Sequence, residues 1–158
     1  MAIQTAYLDG MASAYVGMIA DTGPNNLISR EVEAADPGIG FGVPVIQGTG
    51  DMQCDAVAAA TDQVVGLTVR DQSVEGDTFA NKDSALLMIS GPLWVEASGA
   101  VSAGDDVWVT VATGALSAAD VGSSGGLQLP GCRWESSATD GNLAKIRVDL
   151  GVPAVAGA

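Results

Sequence analysis

Apolar and polar residues alternate with period two through much of this chain, most clearly over residues 85–111. Leu86, Leu87, Met88 and Ile89 form an apolar run broken by Ser90-Gly91-Pro92, after which Leu93, Val95 and Ala97 alternate with Trp94 and Glu96. Beyond turn signals at Ser98-Gly99 and Ala103-Gly104-Asp105-Asp106, Val107, Val109 and Val111 alternate with Trp108 and Thr110. Successive strand side chains point to opposite faces, so this pattern gives half-buried strands. The stretch reads as strand, tight turn, strand, the centre of a small β domain.

The same signals recur on both sides of it. Strands are expected at 27–33, 43–47, 53–57, 64–70, 115–116, 127–130, 132–136 and 143–150. Residues 34–42, 71–83 and 119–126 read as loops, and Thr139-Asp140-Gly141-Asn142 carries the Asp-Gly hairpin signal. Pro44 lacks a backbone donor, which places 43–47 at an edge or a bulge. A Gly-led V-x-V strand followed by a longer strand ending in charge occurs at 40–70 and again, more loosely, at 104–149. This echo hints at a pseudo-duplicated fold. The expectation is an all-β domain over 28–150, a small β-barrel or β-sandwich.

Residues 1–27 differ. Tyr7, Met11, Tyr15 and Met18 fall close to helical spacing, but Gly10 and Gly17 interrupt a helix, each costing about 1 kcal/mol relative to Ala. Gly23-Pro24-Asn25-Asn26 closes the segment. An extended or partly helical N-terminal arm is expected. Its apolar side chains need a surface, either its own domain or a neighbour's. The tail 151–158 has no pattern and is expected to be flexible.

Composition narrows the function. Lys and Arg total 6 against 19 Asp and Glu, a net charge of −13, and the basic residues are scattered in sequence. Phosphate neutralisation needs clustered cations, so neither nucleic acid nor an anionic membrane is an expected partner. No apolar run approaches the about 18 residues of a membrane helix, and the N-terminus does not read as a secretory signal. Hydrophobic residues reach 47% with only 4% aromatic, so the core is built from small side chains.

The chemistry is mostly absent. The chain has no histidine, which removes His-based triads and Cys/His zinc sites. Asp105 and Asp106 point to opposite faces of an extended chain and read as a turn tip. The glycines at 38–42 and 48–50 lead into strands, not helices, so they are not phosphate loops. The acidic spacing is not that of a calcium loop. No metal, cofactor or catalytic residue is expected. Cys54 and Cys132 could pair, but two buried free thiols are preferred. Trp94 and Trp108, taken as opposite arms of one hairpin, are expected to meet across strands in core or subunit packing; with Trp134 they are also candidates for a sugar-stacking platform.

Several stretches together resemble the structural cement, or capsid decoration, proteins of tailed bacteriophages. They are M-A-I-Q-T-A-Y at 1–7, A-Y-V-G-M-I-A at 14–20, Ile28-Ser29-Arg30, G-I-G-F-G at 38–42, Ala60-Thr61-Asp62, G-L-T-V-R-D-Q-S at 66–73, G-P-L-W-V at 91–95, A-G-D-D-V-W-V at 103–109 and A-K-I-R-V at 144–148. The tail and the 119–126 loop depart from the pattern. The resemblance implies a non-enzymatic, β-tulip-like protein on the outer surface of an expanded phage head, made in the host bacterial cytoplasm. It implies the major capsid protein as partner and a homo-oligomer, a trimer ahead of a dimer. Tyr7, Met11, Tyr15, Met18, Trp94 and Trp108 are then the expected capsid or subunit contacts. The rival reading is a β-sandwich that binds carbohydrate or a host surface through its tryptophans.

Overall fold

The computed structural model describes residues 14–35, 37–111, 113–120, 126–151 and 155–156. Its strands, in chain order, are β1 (Asn26–Val32), β2 (Ile39–Gly40), β3 (Pro44–Gln47), β4 (Gln53–Ala56), β5 (Val64–Thr68), β6 (Thr78–Phe79), β7 (Ser84–Glu96), β8 (Asp106–Thr110), β9 (Ala115–Ser117), β10 (Gly126–Trp134), β11 (Leu143–Asp149) and β12 (Val155–Ala156). No helix occurs among the described residues.

The expected break at Ser90-Gly91-Pro92 is not a turn. The chain runs through it as the 13-residue β7. Gly91 makes this possible with φ +138°, a conformation closed to most side chains. Pro92, which has no N–H, accepts the Ala20 N–H on its carbonyl at 3.0 Å.

Each half of β7 belongs to a different ring of strands. The first half pairs with β1 (Ile28 opposite Leu87) and with β5 (Thr68 opposite Leu87). β5 pairs with β3, β3 with β4, and β4 runs parallel to β1 through Val32 and Cys54. The path returns to its start, a closed five-stranded barrel that leaves no open edge along it. Val32, Val45, Cys54, Ala85 and Leu87 are buried in its core. The β2–β6 pair adds Phe41 and Phe79 to that core, edge to face at 5.1 Å.

The second half of β7 pairs with β11 from Leu143–Glu96 to Asp149–Ser90. β10 and β8 follow, then β9. β9 comes back to the end of β7 through a parallel bridge between Leu116 and Ala97, and the Ser98 N–H donates to the Leu116 carbonyl at 2.7 Å. This second ring encloses Leu93, Val95, Val107, Val109, Leu127, Leu129, Trp134, Ile146 and Val148. The all-β expectation holds, with the barrel as the architecture.

The wall between the rings is β5 with β7. Leu87 belongs to the first core, while Leu67 and Met88, directly opposite each other, belong to the second. Thr68 is buried in this wall but satisfied: its Oγ1 donates to the Gly40 carbonyl at 2.7 Å and accepts the Val43 N–H at 3.0 Å.

Other expectations are corrected by the pairing. Of the two alternatives for 43–47 the edge is excluded, since β3 is flanked by β4 and β5, and the bulge is found, at Val45/Ile46, with Pro44 starting the strand. The two loops at 34–42 and 71–83 contribute β2 and β6. The segments around Gly131 form one strand, β10, where Gly131 lies so close to the Asp149 carbonyl that no Cβ fits. The tail supplies β12, paired with Leu127 and Gln128. β7 and β8 are not a hairpin, because β11 and β10 stand between them.

Gly91→Ala places a Cβ against the Asn25 amide at a φ that alanine resists. The expected loss is about 1–3 kcal/mol, read from the urea unfolding midpoint. Gly23→Ala, which meets no atom within 4 Å, serves as control. Equal midpoints for both variants would refute the role given to Gly91.

Candidate functional site

The described part of the arm is sewn to its own domain through the backbone. The Gly17 N–H donates to the Trp94 carbonyl at 2.7 Å, the Trp94 N–H to the Met18 carbonyl at 2.9 Å, and the Arg70 N–H to the Gly17 carbonyl at 2.7 Å. Ile19 bridges Leu93. Residues 17–20 thus act as a short extra strand on the edge of β7 that faces away from β11. Gly17 is required there: its φ is +78°, and a Cβ would stand 2.8 Å from that of Phe41. No helix forms in this part of the arm. Tyr7 and Met11 lie outside the described residues.

Tyr15 is about half exposed, at 51%. The Arg70 guanidinium lies 5.6 Å from the centre of its ring and 5.0 Å from that of Phe41, a cation–π arrangement, and pairs with Asp77 at 3.3 Å. Met18, half-buried, lines a shallow groove with Tyr15, Ile19, Val69 and Leu86. The fold therefore gathers Tyr15, Met18 and Trp94 around one segment. It does not bring Trp108 to them. Trp108 sits on β8 opposite Gln128 and Ser117, and Trp134 is buried, its indole N–H donating to the Ser117 carbonyl at 3.2 Å. No two tryptophan rings pair among the described residues, so the sugar platform is not assembled.

A cluster that spacing alone does not reveal lies on the outside of the second barrel. Strand pairing sets Arg133 directly opposite Arg147, with Lys145 two residues away on the same face. Like charges opposite each other destabilise a sheet unless countered. Asp106 pairs with Arg133, and Glu135 accepts the Arg147 Nε–H at 2.7 Å. Lys145 Nζ lies 3.2 Å from both Glu135 and Asp21, which ties the end of the arm to β11. Burial pushes the Glu135 carboxyl up, but hydrogen bonds from Arg147 and Lys145 outweigh it and hold the group below the usual range. Asp21 and Glu135 together raise the Lys145 pKa. Lys145-x-Arg147 was visible in the sequence; Arg133 joins only through the β10–β11 register.

Among the described residues no group of three or more His, Cys, Asp or Glu side chains is placed to hold a metal.

The structural cement protein family (E217 gp24/Pam3 gp6) matches residues 3–149. The chain belongs to this family of phage structural cement proteins. Among solved structures, the N base of the head fiber gp8.5 of bacteriophage phi29 is similar in fold, with a TM-score of 0.51 at 13% identity over 80% of this chain and 96% of that one. No curated protein matches. Family membership gives the chain a structural role in the phage capsid.

In this cement protein the two cysteines are free and sit in different cores, Cys54 in the first barrel and Cys132 in the second. Burial pushes both thiols up to about 11. A thiol raised above its unfolded pKa favours the fold below that value, and the contribution is lost as pH climbs from about 9 towards 11. Neither thiol should react with an alkylating reagent at mildly alkaline pH until denaturant is added, after which both should. Labelling of the native protein, read by intact mass, would contradict the burial described here.

Proposed function

We propose that this chain cements the phage head from its outer surface, binding after shell expansion and bridging adjacent major capsid subunits. It acts as a homo-oligomer, a trimer ahead of a dimer. The observation that carries the reading is the family match over residues 3–149.

Physical features agree with it. A net charge of −13 keeps the protein soluble before assembly and away from packaged DNA. Closed rings of strands leave no open edge along them to pair with a foreign strand. Residues 14–20 carry the chain to the surface around Tyr15 and Met18, so the segment before them starts from a fixed point. Tyr7, Met11, Tyr15 and Met18 are the contacts this reading assigns to the shell, with Trp94, whose backbone is hydrogen-bonded to Gly17 and Met18, beside the last of them. Repeated on one shell, modest contacts sum to a large stabilisation.

The test is co-sedimentation with expanded, undecorated heads, with unexpanded shells as control. Saturable binding to expanded heads alone is expected, and binding to neither would end the proposal. The arm is tested by removing residues 1–13, which spares the Gly17–Ala20 hydrogen bonds. Shell affinity should fall roughly tenfold or more, a loss of about 1.4 kcal/mol, with unfolding unchanged. Unaltered affinity would remove the arm from the contact.

A further inference from the structure

Arg133, Lys145 and Arg147 are matched one for one by Asp21, Asp106 and Glu135. The whole net charge of −13 therefore sits on the rest of the chain. This face holds half of the chain's Lys and Arg residues and is locally neutral, so another acidic surface can meet it without the repulsion that the rest of this composition implies. Its two arginines are 53% and 60% exposed. Arg147 spends only its Nε–H on Glu135, and its Nη groups have no protein acceptor among the described residues. A guanidinium is a planar fork that matches a carboxylate with two parallel bonds. Half-buried Trp94 lies beside it, directly opposite Lys145. Arginine and tryptophan with neutralised charge around them are the usual composition of a contact centre.

The complement is on the same molecule. The first barrel carries an open groove lined by Asp71, Glu75 and Asp83 with Ser29, Ser73 and Ser84, and no Lys or Arg lines it. Ser73 donates two hydrogen bonds to Asp71, at 2.7 and 2.8 Å, which keep that carboxylate ionised and aligned.

We propose that the Arg133–Arg147 face of one copy docks on the Asp71–Glu75–Asp83 groove of a second copy. The two surfaces lie on different barrels, so the contact is heterologous, and successive copies either close into a ring or continue. A ring of three is the trimer favoured above. The inference rests on the homo-oligomer part of that reading and adds the surfaces that make it. A second copy is the partner because both halves of the contact are found on this one chain.

Sedimentation equilibrium of the full chain at low and high salt tests it, with shell binding measured in parallel. The wild type should self-associate, and more weakly in salt, which screens exposed charges. Arg147→Glu and Glu75→Lys, the latter on an exposed loop, should each weaken association roughly tenfold or more. The double variant, with both charges reversed, should restore it. A monomer at every concentration, association indifferent to either reversal, or no rescue would overturn the proposal. So would an Arg147→Glu variant that keeps its oligomer but no longer binds shells, since that assigns the face to the capsid. Failure of self-association with shell binding intact leaves the cement role standing, so the two readings fail separately.

Discussion

The wall formed by β5 and the first half of β7 is the constraint on which the rest depends. It is buried on both faces at Leu67, Leu87 and Met88. Leu87 fills the core on one side, and Leu67 with Met88 fills the core on the other. A wall shared by two cores must be apolar on both faces, which is why 85–89 is a continuous apolar run and not an alternating one. Gly66 leaves room for Leu87 on the neighbouring strand, because a Cβ there would sit 2.7 Å from that of Leu87. Loss of packing on one face is felt on the other, so the two barrels are expected to behave as one cooperative unit.

From that wall the other features follow. Past Gly91 the strand leaves β5 and takes β11 as its partner. This exposes an edge on the side that β5 no longer covers, and an exposed edge invites pairing with a foreign strand. Residues 17–20 occupy it. The arm is therefore not an appendage added to a finished domain but the piece that seals the junction between the barrels. Its hold is made of backbone hydrogen bonds at Gly17, Met18 and Ala20, which leaves Tyr15 half exposed and Met18 only half-buried at the surface.

The sequence made the strands legible because their signal is local. The spans at 27–33, 53–57, 64–70 and 143–150 match β1, β4, β5 and β11 to within two residues at each end. Partnership was not legible, because it is set by register between distant segments. Trp94 and Trp108 lie 14 positions apart and looked like a hairpin, yet β10 and β11, both later in the chain, pass between them. Ser90-Gly91-Pro92 looked like a turn because Gly and Pro punctuate most chains; here Gly91 supplies a bend within a ladder that both flanking halves hold in place. The same blindness applies to charge. Arg133 and Arg147 are opposite neighbours, and nothing in their spacing says so.

The electrostatics bear on assembly in a way that composition hides. A strongly acidic protein crowded on a shell at high copy number repels itself, and the repulsion grows with each copy added. Neutralising one face locally leaves the solubility gained from the net charge intact while removing the penalty at the contact. Surface ion pairs of this kind contribute little to folding, typically about 0–1 kcal/mol each, so stability is a weak reason for placing half of the chain's cations on one patch. In the proposed self-contact, cancelling charge where two acidic surfaces meet is a stronger one, and it accounts for Asp21 as well: by pairing with Lys145, the end of the arm helps neutralise the face beside which it lies.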